Sequence, residues 1–535
     1  MSNSTFPYDA KSEQAYKSNP AIRLFGNRFS TDQTSLELLG EFLLITTSVK
    51  EIEGKELRSA LPLLDDIHSW SNSKLKYSPK IKLNLKLFAF LSSSRLDSRH
   101  LTHREHYTQL IQELKKRIKV DSNDKTQVVK TLENLLLGFQ GAGTSRTWCA
   151  QSFIPISRGL VAGEAIWNET KAKSHYAESW SYVLDNAKLY FSLNKHRFLA
   201  RGGELLYLQI CNAMKQSPDA IQSWNQEAKL EFSTEELEPG KLLNSLERGM
   251  AKFFSACPKF IDDLAEFIDD KLDPETAAKT DMHEQQPRFV EAGWCNSATW
   301  QEGYLLAVEM NRILSSGLDV MDSVYYLETL FMLHTLRNLI MQSSRCLSNG
   351  EAKWPGYYMA INRSDEENGT LKRISHQSLK NIEKTIYMAI RSHMQDTDIV
   401  QDEKILKEAD TRSGHKFFLK MAKQAGLVIP KRGAWARFVL TPQILRVLVT
   451  TIVPQQGRIT YETFKQLIRA RWGMVFDEAG FGECCQWLGV EKVYLSSDTD
   501  AWLLEMLAES GLLMHLSDSC ALVLHSNQGN DGAGS

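Results

Sequence analysis

With 535 residues, 42% of them apolar and 24% charged, and a formal net charge of -2, the chain has the composition of a globular protein with room for about three or four domains. No apolar run approaches the roughly 18 residues a membrane span requires, and the best candidate, GEFLLITTSV from Gly40, is short and sits in an amphipathic stretch. The opening MSNSTFPYDAKSEQAYKSNP is polar and lacks the apolar core of a signal peptide, so a cytoplasmic chain without a membrane partner is expected. Eight cysteines are scattered with no CxxC pair, which points to reduced, mostly buried thiols.

Along the body, a period of 3.6 residues predicts helices over Leu36 to Val49, Tyr107 to Ile118, Gln127 to Leu137 and Ser179 to Leu193. The same period predicts helices over Gly203 to Lys215, Leu242 to Phe254, Trp300 to Leu314 and Val320 to Gln342. Strand signals are few. After Pro79, Ile81, Leu83, Leu85 and Leu87 alternate with Lys80, Lys82, Asn84 and Lys86, the period of a strand, although Pro79 can also open a helix. A mainly α, multi-domain helical body is the expectation.

Charge divides the chain further. Lys74 to Lys119 holds twelve basic residues against three acidic, whereas Glu231 to Glu291 holds fifteen acidic against seven basic. The expected units are an N-terminal helical domain over 1–230 that includes the basic segment 74–119, an acidic helix and linker over 231–290, and a second helical domain over 291–405. Two further units, 411–454 and 455–526, precede a loose tail at 527–535, whose SNQGNDGAGS has little apolar surface to bury.

The unit 411–454 carries the strongest functional signal. From Thr411 to Tyr461 there is no Asp or Glu, while nine Lys and Arg occur. Such an excess favours a polyanion, because grouped cations release counterions from a phosphate backbone. Lys416, Lys420 and Lys423 recur at i, i+4 and i+7, one stripe on a helix, with Phe417, Phe418, Met421 and Ala425 turned to a core. Gly426 ends that helix. The following GLVIP and ARFVLT predict a β-hairpin tipped by Lys431 and Arg432, and Pro442 opens a packing helix. Helix, basic hairpin and packing helix form the pattern of a winged helix, whose helix before the wing enters a DNA major groove.

This module recurs 85 residues on: MAKQAGLVI (421–429) matches MLAESGLLM (506–514). The second copy carries Asp500, Glu505 and Glu509, so phosphate would repel it, and it is expected to pack or to contact protein. Between the copies RITYETFKQLIRARWG supplies a helix whose Arg469 and Arg471 are candidates to extend the basic surface.

Catalytic signatures are weak. GFQGAGTS (138–145) has phosphate-loop spacing, but Thr144 stands where the lysine that neutralises phosphate must be. His100, His103 and His106 lack nearby carboxylate or thiolate support apart from Glu105, so no metal is assigned. Glu169-Thr170-Lys171 and Glu351-Ala352-Lys353 fit a nuclease tripeptide outside a strand context. Lys195, His196, Arg197 and Arg201 before Gly202-Gly203-Glu204 either hold an anion or mark a helix start.

A helical body with an RGGE turn (201–204), ending in paired winged helices that close on LSDSCALV (516–523), resembles accessory, non-helicase subunits of bacterial anti-phage defence systems, the Druantia type first among them. The resemblance implies a DNA-binding subunit that works with a separately encoded helicase or nuclease and needs no cofactor. The residues expected to meet DNA are Lys416, Lys420, Lys423, Gln424, Lys431, Arg432, Arg437, Arg469 and Arg471, with duplex favoured and little sequence preference. A scaffold without DNA binding, a transcription regulator and a metal-dependent nuclease stay open as alternatives.

Overall fold

The computed structural model describes residues 5–7, 19–26, 29, 31, 33–70, 74–79, 101–118, 124–137, 156–161, 166–167, 179–185, 191–192, 202–272, 289–348, 354–392, 403–455, 457–491, 498–517 and 520–525. They are mostly helical, with short sheets between the helices.

The body is built on two helices that cross at unusually short range. After β1 (Thr5–Phe6) and α1 (Pro20–Phe25) comes α2 (Ser35–Thr47). Thr34 and Glu37 form a reciprocal capping box at its start, satisfying two otherwise orphan N–H groups. The GEFLLI run is therefore the centre of a helix buried on all sides. Strands β2 (Val49–Ile52), β3 (Lys55–Leu57) and β4 (Lys76–Ser78) precede α3 (Gly202–Ala213), which packs on α2. A Cβ on Gly203 would collide with the Leu38 carbonyl oxygen and the Phe42 nitrogen, so the glycine pair sets how closely the helices approach. The Gly203 N–H donates to Glu41 at 2.9 Å, and Glu204 accepts from Tyr77 at 2.9 Å and from the Gly293 N–H at 2.6 Å. The RGGE turn is thus a helix–helix crossing; Lys195, His196, Arg197 and Arg201 lie outside the described residues.

Elements on both sides of the acidic stretch share this core. α4 (Pro239–Ser255), β5 (Val290–Glu291), β6 (Cys295–Asn296), α5 (Trp300–Ser315) and α6 (Val320–Leu347) follow. β1 pairs antiparallel with β6, and an antiparallel sheet runs β3-β2-β4-β5. α5 lies against α3, α4 and α6, and α6 also against α2. Inside, Arg337 and Glu309 pair at 2.8 Å with both side chains at 0% exposure, and the Arg337 guanidinium lies 4.0 Å over the Trp472 ring. Arg312 pairs with Glu236 at 2.6 Å and donates to the carbonyls of Thr451 and Ile452. Charges buried this deeply need opposite partners, and these pairs bolt the body to the C-terminal half.

The helix expected over Ser179 to Leu193 is shorter. Trp180–Asp185 is helical, but Phe191–Ser192 pairs antiparallel with Ile166–Trp167. The 80–87 alternation, the 138–145 loop, His100 and both nuclease-like tripeptides lie outside the described residues, as do the side chains of His103 and His106.

The C-terminal half begins with β7 (Met359–Ala360), α7 (Gly369–Ser392) and α8 (Glu403–Arg412). Next come α9 (His415–Gln424), β8 (Val428–Ile429), β9 (Arg437–Phe438) and α10 (Pro442–Ile452). Then β10 (Arg458–Thr460), α11 (Tyr461–Trp472), β11 (Met474–Val475), α12 (Glu478–Leu488), α13 (Ala501–Glu509), β12 (Leu513–Ser517) and β13 (Cys520–Leu524) close the fold. The 85-residue repeat holds bond for bond. Leu427 N–H donates to the Ala422 carbonyl as Leu512 donates to Leu507, Gly426 to Lys423 as Gly511 to Ala508, and Val439 to Leu427 as Leu524 to Leu512. Gly426 (φ +77°) and Gly511 (φ +72°) occupy the same left-handed position, where a Cβ is strained.

Candidate nucleic-acid interface

Helix α9 divides by face as its sequence dictates. Phe417, Phe418, Met421 and Ala422 are buried, Lys416, Lys420 and Gln424 are exposed, and Lys423 is half-buried. Phe29 stacks on Phe417, Ser413 donates to the Phe29 carbonyl at 2.6 Å, and Thr31 donates to the Arg412 carbonyl at 2.8 Å. Lys420 donates to the Thr31 carbonyl, so one lysine of the stripe already has a backbone partner.

Strands β8 and β9 form an antiparallel hairpin, Val428 opposite Phe438 and Ile429 opposite Arg437. Lys431 and Arg432 stand exposed at its tip. Arg437 does not join them. It is 9% exposed, its Nη2 donates to the Ser364 carbonyl at 2.8 Å, and burial draws its pKa below the usual guanidinium value. Both faces of β9 are covered, so residue 437 is buried along with Phe438.

The two arginines of α11 are also committed elsewhere. Arg469 pairs with Glu483 at 3.0 Å. Arg471 is fully buried, donating to the carbonyls of Leu230 at 2.6 Å and Thr451 at 3.1 Å, and so cannot extend a surface. An arginine's long stem lets it cross a core and end on carbonyls, an option its charge alone does not reveal. In the block 74–119, Lys74 pairs with Glu291, Lys76 with Glu51 and Lys116 with Glu113.

The structure adds residues that the charge pattern had not singled out. A pocket of about 530 Å³ opens between the first turns of α7 and the hairpin, lined by Gly369, Lys372, Arg373, Pro430, Ala434, Trp435 and Arg437. Trp435 is 71% exposed with φ +60°, a backbone conformation rare for an aromatic residue. His376 holds it: the rings lie 4.9 Å apart, and His376 Nδ1 donates to the Ala436 carbonyl at 2.8 Å. The signals were in the sequence. Leu371, Ile374, Ser378, Ile382 and Ile386 have helical spacing, and Trp435 is a large apolar residue at a predicted hairpin tip.

The second repeat has the opposite character. β10, β13 and β12 form a three-stranded antiparallel sheet in that order, with α13 packed on its hairpin. Lys465 is the hub, 2.7 Å from Asp500, 2.9 Å from Glu462 and 3.1 Å from Asp477, and Tyr461 donates to Asp500 at 2.9 Å. A cleft of about 500 Å³ beside it is lined by these residues together with Glu478, Asp498 and His515. Asp500 is thus a buried anchor, while Glu505 and Glu509 stay exposed.

Among the described residues no group of three or more His, Cys, Asp or Glu is placed to hold a metal ion, and no helix is long and apolar enough to cross a membrane. No protein-family model, no curated protein and no solved structure matches the chain.

Proposed function

We propose that this chain is a non-catalytic nucleic-acid-binding subunit of a multiprotein assembly, acting with a helicase or nuclease in bacterial anti-phage defence. The observation that carries DNA contact is the acid-free run 411–461, whose Lys416, Lys420, Lys423, Lys431 and Arg432 lie on a helix and hairpin packed together. Two packed elements bearing exposed cations match the helix-and-wing pair of a winged helix. The second repeat supports that reading through topology: its hairpin is flanked by the earlier strand β10 in the order β10-β13-β12, an arrangement compatible with such a unit. Lys416, Lys420 and Lys423 contact phosphates and Gln424 is the base-reading candidate, while Arg437, Arg469 and Arg471 are not assigned to phosphate contacts. Phosphate contact predicts affinity that falls as a power of salt concentration. Fluorescence anisotropy of labelled duplex and single-stranded DNA over a salt series tests this: steep salt dependence supports it, and no binding at low salt overturns it.

The acidic cleft around Lys465 favours a second reading, a scaffold whose second repeat receives a cationic protein segment. Stable co-purification with products of neighbouring genes, together with absent DNA binding, would favour it.

A further inference from the structure

We propose that the pocket between α7 and the β8–β9 hairpin takes one unstacked nucleotide of a nucleic-acid strand, its base lying against Trp435. This deepens the DNA-binding reading and rests on it. Four features converge. The pocket, at about 530 Å³, falls within the roughly 300–1,000 Å³ of small-molecule sites. Trp435 offers an exposed ring packed at 4.9 Å against His376, and an exposed aromatic ring suits any base, because every base has a π-face. Lys372 and Arg373 line the same pocket at the first turns of a 24-residue helix, where side-chain charge and helix dipole both favour phosphate. Arg437 lines it too, nine-tenths buried, with Nε lacking a hydrogen-bond partner among the described residues. A buried donor left unpaired calls for an acceptor.

Glu366 lies close enough to raise the Arg437 pKa against the effect of burial, which makes that end of the pocket poor for phosphate. A neutral acceptor, a base carbonyl or ring nitrogen, suits Arg437, and the phosphate belongs with Lys372 and Arg373. Duplex bases are stacked and paired, so a loop, overhang or single strand is the form that can enter.

The test measures binding of the full chain to blunt duplex DNA, to oligothymidylate and to the mononucleotide dTMP, with Trp435→Ala and Trp435→Phe beside wild type. Because Trp435 is exposed, neither change removes a core residue. Trp435→Ala is expected to weaken oligothymidylate binding about 5- to 150-fold, the loss of one base–aromatic stack at a factor of ten per ~1.4 kcal/mol. Blunt-duplex affinity should be unchanged, and Trp435→Phe should restore most of the loss. A fluorescent purine analogue in the strand should be quenched by wild type and not by Trp435→Ala. Equal losses on duplex and single strand, no loss on either, or dTMP binding as tight as the oligomer would each overturn the proposal while the lysine-helix reading stands. Absence of binding to every DNA would overturn both.

Discussion

The two repeats share a backbone plan and diverge in every exposed charge. At positions 85 apart, the hydrogen bonds that end the helix and start the hairpin are the same, and so is the left-handed glycine. Yet His415 in the first repeat touches Asp410 at 3.5 Å, whereas its counterpart Asp500 in the second pairs with Lys465 at 2.7 Å. Lys420 and Lys423 correspond to Glu505 and Ala508. The plan depends on buried apolar positions and a positive φ; the surface is free to be basic in one copy and acidic in the other.

The anchors give the strongest way to break this comparison. Lys465→Met leaves Asp500 and Asp477 without their cation in a largely buried site and should destabilise the second repeat by about 3–5 kcal/mol. Denaturant unfolding would show it, and a loss below about 1 kcal/mol would mean the cluster is solvated.

The first repeat's anchor is readable by pH. Burial acts to raise the Asp410 pKa, but the neighbouring His415 ring and the hydrogen bonds and charge of Arg391 outweigh it and hold the carboxyl at about 2. A depressed folded pKa adds stability that is complete above the unfolded value of about 3.9 and is lost as pH falls toward 2, at most about 2 kcal/mol here. Wild type minus Asp410→Asn, compared by unfolding between about pH 2 and pH 5, should show that slope. A flat difference would contradict the pairing.

The glycines should behave alike. A Cβ at Gly511 meets nothing within 4 Å and one at Gly426 meets only Thr441 in ordinary contact, so Gly→Ala at either position should cost about 1–2 kcal/mol from backbone strain alone. Unequal losses would show that the two turns are not equivalent.

Much of the fold was legible because long helices with apolar faces leave a strong period. The core helices α2, α3, α4, α5 and α6 start and end within a few residues of their expected limits, α6 running somewhat farther. The Lys416–Lys420–Lys423 stripe also lies on a helix with its apolar side buried. Legibility fails for single basic residues. Arg437 and Arg471 look as cationic in sequence as Lys431, and only the fold shows that they end on the carbonyls of Ser364 and Leu230. The same limit hid the pocket: Lys372 and Trp435 lie 63 residues apart and meet only because the hairpin folds onto α7.

The central claim is that one repeat faces nucleic acid and its twin does not. Anisotropy titration of labelled DNA across salt would compare wild type, Lys416→Glu/Lys420→Glu/Lys423→Glu, and Glu505→Lys/Glu509→Lys. The expected result is that the first variant loses most affinity and its salt slope falls by about 2–3, near 0.9 per lost phosphate contact, while the second variant binds like wild type or slightly better. Unchanged binding in the lysine variant, or an equal effect from both, would contradict the assignment.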